Sequence, residues 1–245
     1  MKNLFIPLLA CIACAVVVSF TAVSVRSIQD LNLENDKKSK ILLAAGINSE
    51  NINEEFEKIE IIYVNFKSNE LVEMDEKYDH LKATLKSDLS TAIPKEKDIA
   101  ILKRMENVGP MYLWFDKEDN IEKVVLPIRG YGLWGTLYGY ISLASDLNTI
   151  NGIEFYEHKE TPGLGAEVDN PKWKASWKGK KIYKDNEVVL SVIKGKVDES
   201  DLQSSYKVDG LSGATITSRG VTNMVSYWFG ESGYSQLLRE LNYES

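Results

Sequence analysis

The residues best suited to chemistry lie near the end of the chain. The stretch Asp209-Gly210-Leu211-Ser212-Gly213-Ala214-Thr215 sets a threonine behind small residues, and Ile216, Thr217 and Ser218 follow it. Glycine has no Cβ and reaches backbone angles closed to other residues. Gly213 and Ala214 therefore leave room on the approach to the Thr215 hydroxyl. By composition alone this is a turn. Val221, Met224, Val225 and Trp228 then recur at helical spacing and predict a helix over 218–229. A helix starting just behind Thr215 turns its first amides and the positive end of its dipole toward a neighbouring phosphate group. A threonine hydroxyl is a poor nucleophile near neutral pH, so it needs a base or another enzyme. The two histidines, His80 and His158, are both far from Thr215 in sequence.

Two other stretches carry candidate chemistry. In Arg129-Gly130-Tyr131-Gly132-Leu133-Trp134-Gly135-Thr136-Leu137-Tyr138-Gly139-Tyr140, four glycines and four aromatics interleave. One reading is a close sheet crossing that needs missing side chains. The other is a flat ligand packed on Leu133 and Trp134, with glycines such as Gly132 admitting its edge. It is not a dinucleotide fingerprint, because strand, not helix, follows the glycines. The second stretch is His158-Lys159-Glu160-Thr161-Pro162-Gly163-Leu164-Gly165. Pro-Gly fits a turn with positive φ at Gly163, and Gly165 adds a second flexible point. Thr161 and the adjacent amides are placed to hydrogen-bond the polar edge of such a ligand. His158 and Glu160 alone are weak evidence for acid–base catalysis, since no nucleophile or orienting group accompanies them. Lys194, at a strand end, either meets a phosphate or reduced ligand or is simply exposed. No metal set is expected, because His80 has no suitably spaced partner.

The elements that must position these residues follow from composition and periodicity. The chain has 245 residues and a net charge of −7, which argues against nucleic-acid binding. Leu4 to Val25 carries no charge and spans about 33 Å as a helix, enough to cross a bilayer. Its length and poor cleavage sites predict an uncleaved anchor rather than a signal peptide. Cys11 and Cys14 both lie in this run, so the remainder has no disulfide and no thiolate metal site. The pattern next predicts helices over 27–46 and 51–58. A strand or helix end is expected at 59–64, and a short helix or loop at 98–108. A hairpin from Pro110–Phe115 to Ile121–Ile128 turns at 116–120. Strands at 136–148 and 149–156, a short helix bearing Trp173 and Trp177, a strand over 187–194 and a terminal helix over 234–241 complete the pattern.

The stretch from Asp209 to Thr215 resembles the flavinylation motif Asp-x-x-Ser/Thr-Gly-Ala-Thr, whose last threonine is joined to the phosphate of FMN. Three further features accompany it: the apolar N-terminal run, the tract Gly132-Leu133-Trp134 with Tyr138-Gly139-Tyr140, and the run from His158 to Gly165. Together they make the chain resemble the C-subunit family of bacterial sodium-translocating NADH–quinone reductases. The paralogous G subunits of ferredoxin-linked electron-transport complexes are the alternative.

The resemblance implies an α+β fold: a transmembrane helix, then a soluble domain with a twisted, mostly antiparallel sheet and flanking helices. It implies one FMN bonded through its phosphate to Thr215, and an electron relay through that flavin with no catalytic side chain. The flavin would be bound by Asp209, Ser212, Gly213, Ala214, Gly132, Leu133, Trp134, Thr161, Gly163, Leu164, Gly165 and Lys194. It also implies five partner subunits in a membrane complex that moves electrons from NADH to a quinone and exports sodium. A separate flavin transferase would attach the FMN from FAD, using magnesium, and Asp209 would either hold the loop or bind that magnesium. The soluble domain would lie on the periplasmic side of the inner membrane. The expected divisions are an anchor over 1–30, a membrane-proximal region over 31–120, an FMN-binding domain over 121–235 and a tail over 236–245.

Overall fold

The computed structural model describes residues 2–75 and 77–244. They fall into two compact units, one up to Ser39 and one from Lys40 onward.

Helix α1 (Lys2–Ala44) supplies the first unit. From Phe5 on it is long and apolar enough to cross a membrane. Phe5, Leu9, Val17 and Phe20 are all exposed, a surface suited to hydrocarbon rather than water. Thr21 and Ser24 donate their hydroxyls to the carbonyls of Val17 and Phe20, at 2.9 and 2.8 Å. This satisfies polar groups where lipid offers no partner. Pro7 sits inside the helix, near its start.

In the second unit α1 ends at a left-handed Gly46 (φ +77), and Ile47 N donates to Leu42 O at 2.8 Å. Then come α2 (Ile52–Phe56), β1 (Glu60–Asn65), β2 (Glu70–Val72), α3 (His80–Ala83), β3 (Ser90–Ala92) and β4 (Arg104–Glu106). The main strands are β5 (Val108–Phe115), β6 (Ile121–Tyr131), β7 (Thr136–Ala144) and β8 (Ile150–Glu157). After α4 (Pro171–Ala175) follow β9 (Tyr183–Lys184), β10 (Glu187–Val188), β11 (Ser191–Val192) and β12 (Lys207–Val208). The chain closes with α5 (Thr215–Trp228) and α6 (Ser235–Glu244).

One six-stranded sheet, in the order β2-β1-β5-β6-β7-β8, carries the domain, and every neighbouring pair is antiparallel. Its two faces read directly from residue alternation. Met111, Leu113, Val124, Leu126, Ile128, Leu137 and Ile141 point into one core, shared with Val221, Met224 and Trp228 of α5. Tyr112, Trp114, Val125 and Tyr140 point into the other, covered by Ile41, Leu42 and Ala44 at the end of α1. The sheet is thus buried on both faces, and the face carrying α5 is the one that positions the site.

The crossing of α5 over β6 depends on two glycines. A Cβ at Gly130 would stand 2.7 Å from Met224 Cβ, and one at Gly220 would collide with Tyr131 O. Part of the glycine-aromatic tract therefore serves a close helix–sheet contact.

Some sequence expectations shift. Residues 98–103 form a loop with positive φ at Ile101 and Lys103, which no helix tolerates, and β4 then pairs with β3. The strand expected over 187–194 divides into β10 and β11. β10 is spent on a hairpin with β9 whose turn residues, Asp185 and Asn186, both have positive φ. β11 pairs with β12 in parallel. Trp173 lies on α4, but Trp177 falls just past the helix end. Both are buried, with ring centroids 5.5 Å apart.

Candidate functional site

α5 begins at Thr215 itself, three residues before the expected start at Ser218, and its N-cap is Ala214, which has no side-chain acceptor. The first amides of a helix lack a carbonyl one turn back. Here these are the amides of Thr215, Ile216 and Thr217, because Ser218 N is the first to reach back, to Ala214 O at 3.0 Å. With the dipole they form a seat for an anion beside the Thr215 side chain.

The loop before α5 is pinned at several points. Asp209 Oδ1 accepts Val197 N at 2.7 Å, and Asp209 O accepts Trp173 Nε1 at 2.7 Å. Leu211 N donates to Ser218 Oγ at 3.0 Å. Gly213 has φ +70, and a Cβ there would stand 2.9 Å from Leu164 Cδ2. A residue at Gly213 would thus meet both backbone strain and a neighbour.

The four hydroxyls of this region differ in availability. Those of Ser212 and Thr215 belong to exposed residues. Thr217 is fully buried and donates to Glu160 Oε2 at 2.5 Å. Ser218 is 5% exposed and its Oγ holds Leu211 N. Of the two threonines in Thr215-Ile216-Thr217, only the first is presented at the surface.

Glu160 is the residue whose role the sequence did not disclose. It is buried, and Oε1 accepts Leu133 N at 3.0 Å and Trp134 N at 2.9 Å, while Oε2 accepts Thr217. His158 is adjacent but supports it: Glu160 N donates to His158 Nδ1 at 3.2 Å, which leaves Nε2 to donate to Asp169 Oδ2 at 2.8 Å. Thr161 O closes the following turn by accepting Leu164 N and Ala166 N, both at 3.1 Å. Gly163 has the expected positive φ, +75. Only the fold sets glycines against this acid: a Cβ at Gly132 would lie 2.6 Å from Glu160 Oε1 and one at Gly165 would lie 2.7 Å from Thr217 Oγ1.

The expected site residues come from four chain segments: 132–134, 161–165, Lys194 and 209–215. Leu133, Trp134 and Leu164 are 41%, 63% and 43% exposed and so leave apolar surface open to a ligand. On the remaining flank a cleft of about 860 Å³ is lined by Thr215, Asp209, Ser212, Gly213 and Lys194, with Lys172, Lys196 and Arg219 adding further cations. Leu133, Trp134 and Leu164 are not part of that lining; Glu160 and Leu164's approach to Gly213 tie them to α5. A smaller cavity of about 170 Å³, among Phe66, Ile93, Met105 and Tyr227, contains none of these residues. Among the described residues no cluster of three or more metal-ligating side chains occurs.

An exposed hydroxyl at an uncapped helix N-terminus, cations in the adjoining cleft and exposed apolar side chains nearby fit a phosphorylated, flat, largely apolar group such as FMN. Fold and site define an FMN-binding-domain protein with an N-terminal apolar helix, and residues 132–230 match the family model described as FMN-binding domain. The C subunit of the Na+-translocating NADH–quinone reductase of Pseudomonas aeruginosa is 39% identical over 98% of this chain and 95% of its own length. That of Vibrio anguillarum is 40% identical over 98% and 94%. The crystal structure of Shewanella oneidensis NqrC superposes with a TM-score of 0.78 at 33% identity, covering 85% of this chain and 98% of that one. The chain belongs to the C-subunit family of Na+-translocating NADH–quinone reductases. The paralogous G subunit is not better supported. The N-terminal helix is consistent with a single-pass inner-membrane protein whose soluble domain is periplasmic.

Proposed function

We propose that this chain is the electron-relay subunit of a sodium-exporting NADH:quinone oxidoreductase and carries one FMN bonded through its phosphate to Thr215. The observation that carries the attachment is the contrast between Thr215, exposed at the first turn of α5, and Thr217, buried against Glu160. When bound, FMN supplies the electron chemistry.

The chain's own residues do the holding. The amides of Thr215, Ile216 and Thr217 and the α5 dipole hold the phosphate, with Lys194 and Arg219 adding positive charge from the cleft. Asp209 and Ser218 keep the loop in shape, a structural role that Asp209 fills through Val197 N. Leu133, Trp134 and Leu164 offer apolar surface to the ring, and the turn from Thr161 to Gly165, with Gly132, Ser212, Gly213 and Ala214, completes the contact. Tethering keeps the cofactor in place in every redox state.

Among the described residues, no side chain hydrogen-bonds the Thr215 hydroxyl to activate it. His158 is engaged by Glu160 and Asp169; the family resemblance implies that a separate flavin transferase, using FAD and magnesium, makes the bond. The five other subunits of the complex would be electron donors, acceptors or neighbours in the membrane. Purifying the chain from cells with and without the transferase tests this. Covalent flavin, retained after denaturation, should depend on the transferase, and its absence from both preparations would refute the reading.

A further inference from the structure

We propose that Glu160 is the positioning residue of the flavin surface: its carboxylate locks the Leu133–Trp134 turn onto α5. The proposal rests on the reading that FMN lies on that turn. Three segments meet at this one side chain. Oε1 takes the consecutive amides of Leu133 and Trp134, and Oε2 takes the hydroxyl of Thr217, two residues beyond Thr215. Amides of a tight turn have no sheet partner, and leaving them unpaired is unfavourable. Glu160 supplies the missing acceptor and so makes the turn's shape depend on α5.

The site is built around this carboxylate. Its residue is 6% exposed, and any Cβ at Gly132 or Gly165 would invade the space that it and Thr217 occupy. His158 Nδ1 receives Glu160 N and is itself oriented by Asp169, so the main chain of Glu160 is fixed as well.

None of the three donors to the carboxylate is a cation. A buried negative charge beneath the Leu133–Trp134 turn opposes electrons arriving on a group resting there, and low dielectric strengthens the effect. A purely structural residue would not do this. Glu160→Gln keeps an oxygen for the two amides and a nitrogen that can donate to Thr217 Oγ1, so it removes charge while preserving shape.

The experiment uses the full chain coexpressed with a flavin transferase, with FMN attachment confirmed by mass. Glu160→Gln should carry FMN at the parent level and keep the visible circular dichroism of the flavin. Its ratio of reduced to oxidised flavin at a fixed potential should rise about tenfold, which is about 30 mV for a two-electron couple. Glu160→Ala should stay labelled but lose at least half of the dichroism, and Thr217→Val should lose less, with the parent's midpoint. Parent-like dichroism in Glu160→Ala, or a Glu160→Gln midpoint indistinguishable from the parent's, would overturn the proposal. Should Glu160→Ala fail to fold, the Glu160→Gln midpoint decides alone. A parent chain without FMN would instead bring down the reading of the flavin site, and this proposal with it.

Discussion

The Thr217 hydroxyl donates to Glu160 Oε2 at 2.5 Å in the interior of the domain, while Thr215, two positions earlier, stands exposed. Two threonines one residue apart on a helix point about 200° away from each other. A helix start at Thr215 is therefore enough to send one hydroxyl into the core and leave the other at the surface. The first then bonds Glu160, and the second is free for modification.

Trp134 tests the ring surface. It is 63% exposed, so Trp134→Ala should change folding stability by no more than about 0.5 kcal/mol. The attached flavin should nevertheless change its visible absorption and fluorescence, because its apolar neighbour is gone. Spectra identical to the parent's would place the ring elsewhere.

Gly220 tests the α5–β6 crossing. Alanine is normally the better helix residue by about 1 kcal/mol. Here its Cβ would meet Tyr131 O, so Gly220→Ala should destabilise, by about 1–3 kcal/mol as overpacked cores do. Urea unfolding measures this, and a variant more stable than the parent would show that the helix sits farther from the strand.

Much of this arrangement was legible in the sequence. The apolar runs Pro110–Phe115 and Ile121–Ile128 give the β5–β6 hairpin, and the apolar run before Arg26 and the helix expected over 27–46 join as one long first helix. The end of α5 and the exposed Thr215 also follow from local pattern. Glu160 did not, because its partners are 26, 27 and 57 residues away and only the fold joins them. The division of β10 from β11 was hidden for a similar reason: Val188, Leu190 and Val192 alternate as one strand would, yet Val188 pairs with Tyr183, Val192 with Val208, and Leu190 lies between the two strands. The side of Gly132 that a Cβ would fill is taken by Glu160, and that of Gly165, expected as a flexible point, by Glu160 and Thr217.

Alkaline pH should weaken the fold through two phenols, the half-buried Tyr78 and the buried Tyr227. Burial first, then Glu106, pushes Tyr78 from its ordinary 10 up to about 12. Burial first, then Asp98, does the same to Tyr227. Above pH 10 the unfolded chain loses these protons while the folded one keeps them, so folding stability falls as pH rises. The contribution is fully present below 10 and lost as pH passes through 12. Urea midpoints measured across this window should decline, and more shallowly in Tyr78→Phe. A flat profile would contradict the raised pKa of these two phenols.

The central claim is the bond at Thr215. The direct measurement is peptide mass spectrometry, with fragmentation, of the full chain coexpressed with its flavin transferase, beside Thr215→Val, Ser212→Ala and Thr217→Val. The mass of FMN should localise to Thr215 in the parent, persist in Ser212→Ala and Thr217→Val, and vanish from a folded, colourless Thr215→Val. FMN on any peptide of Thr215→Val, or localised to Ser212 or Thr217 in the parent, would contradict the account.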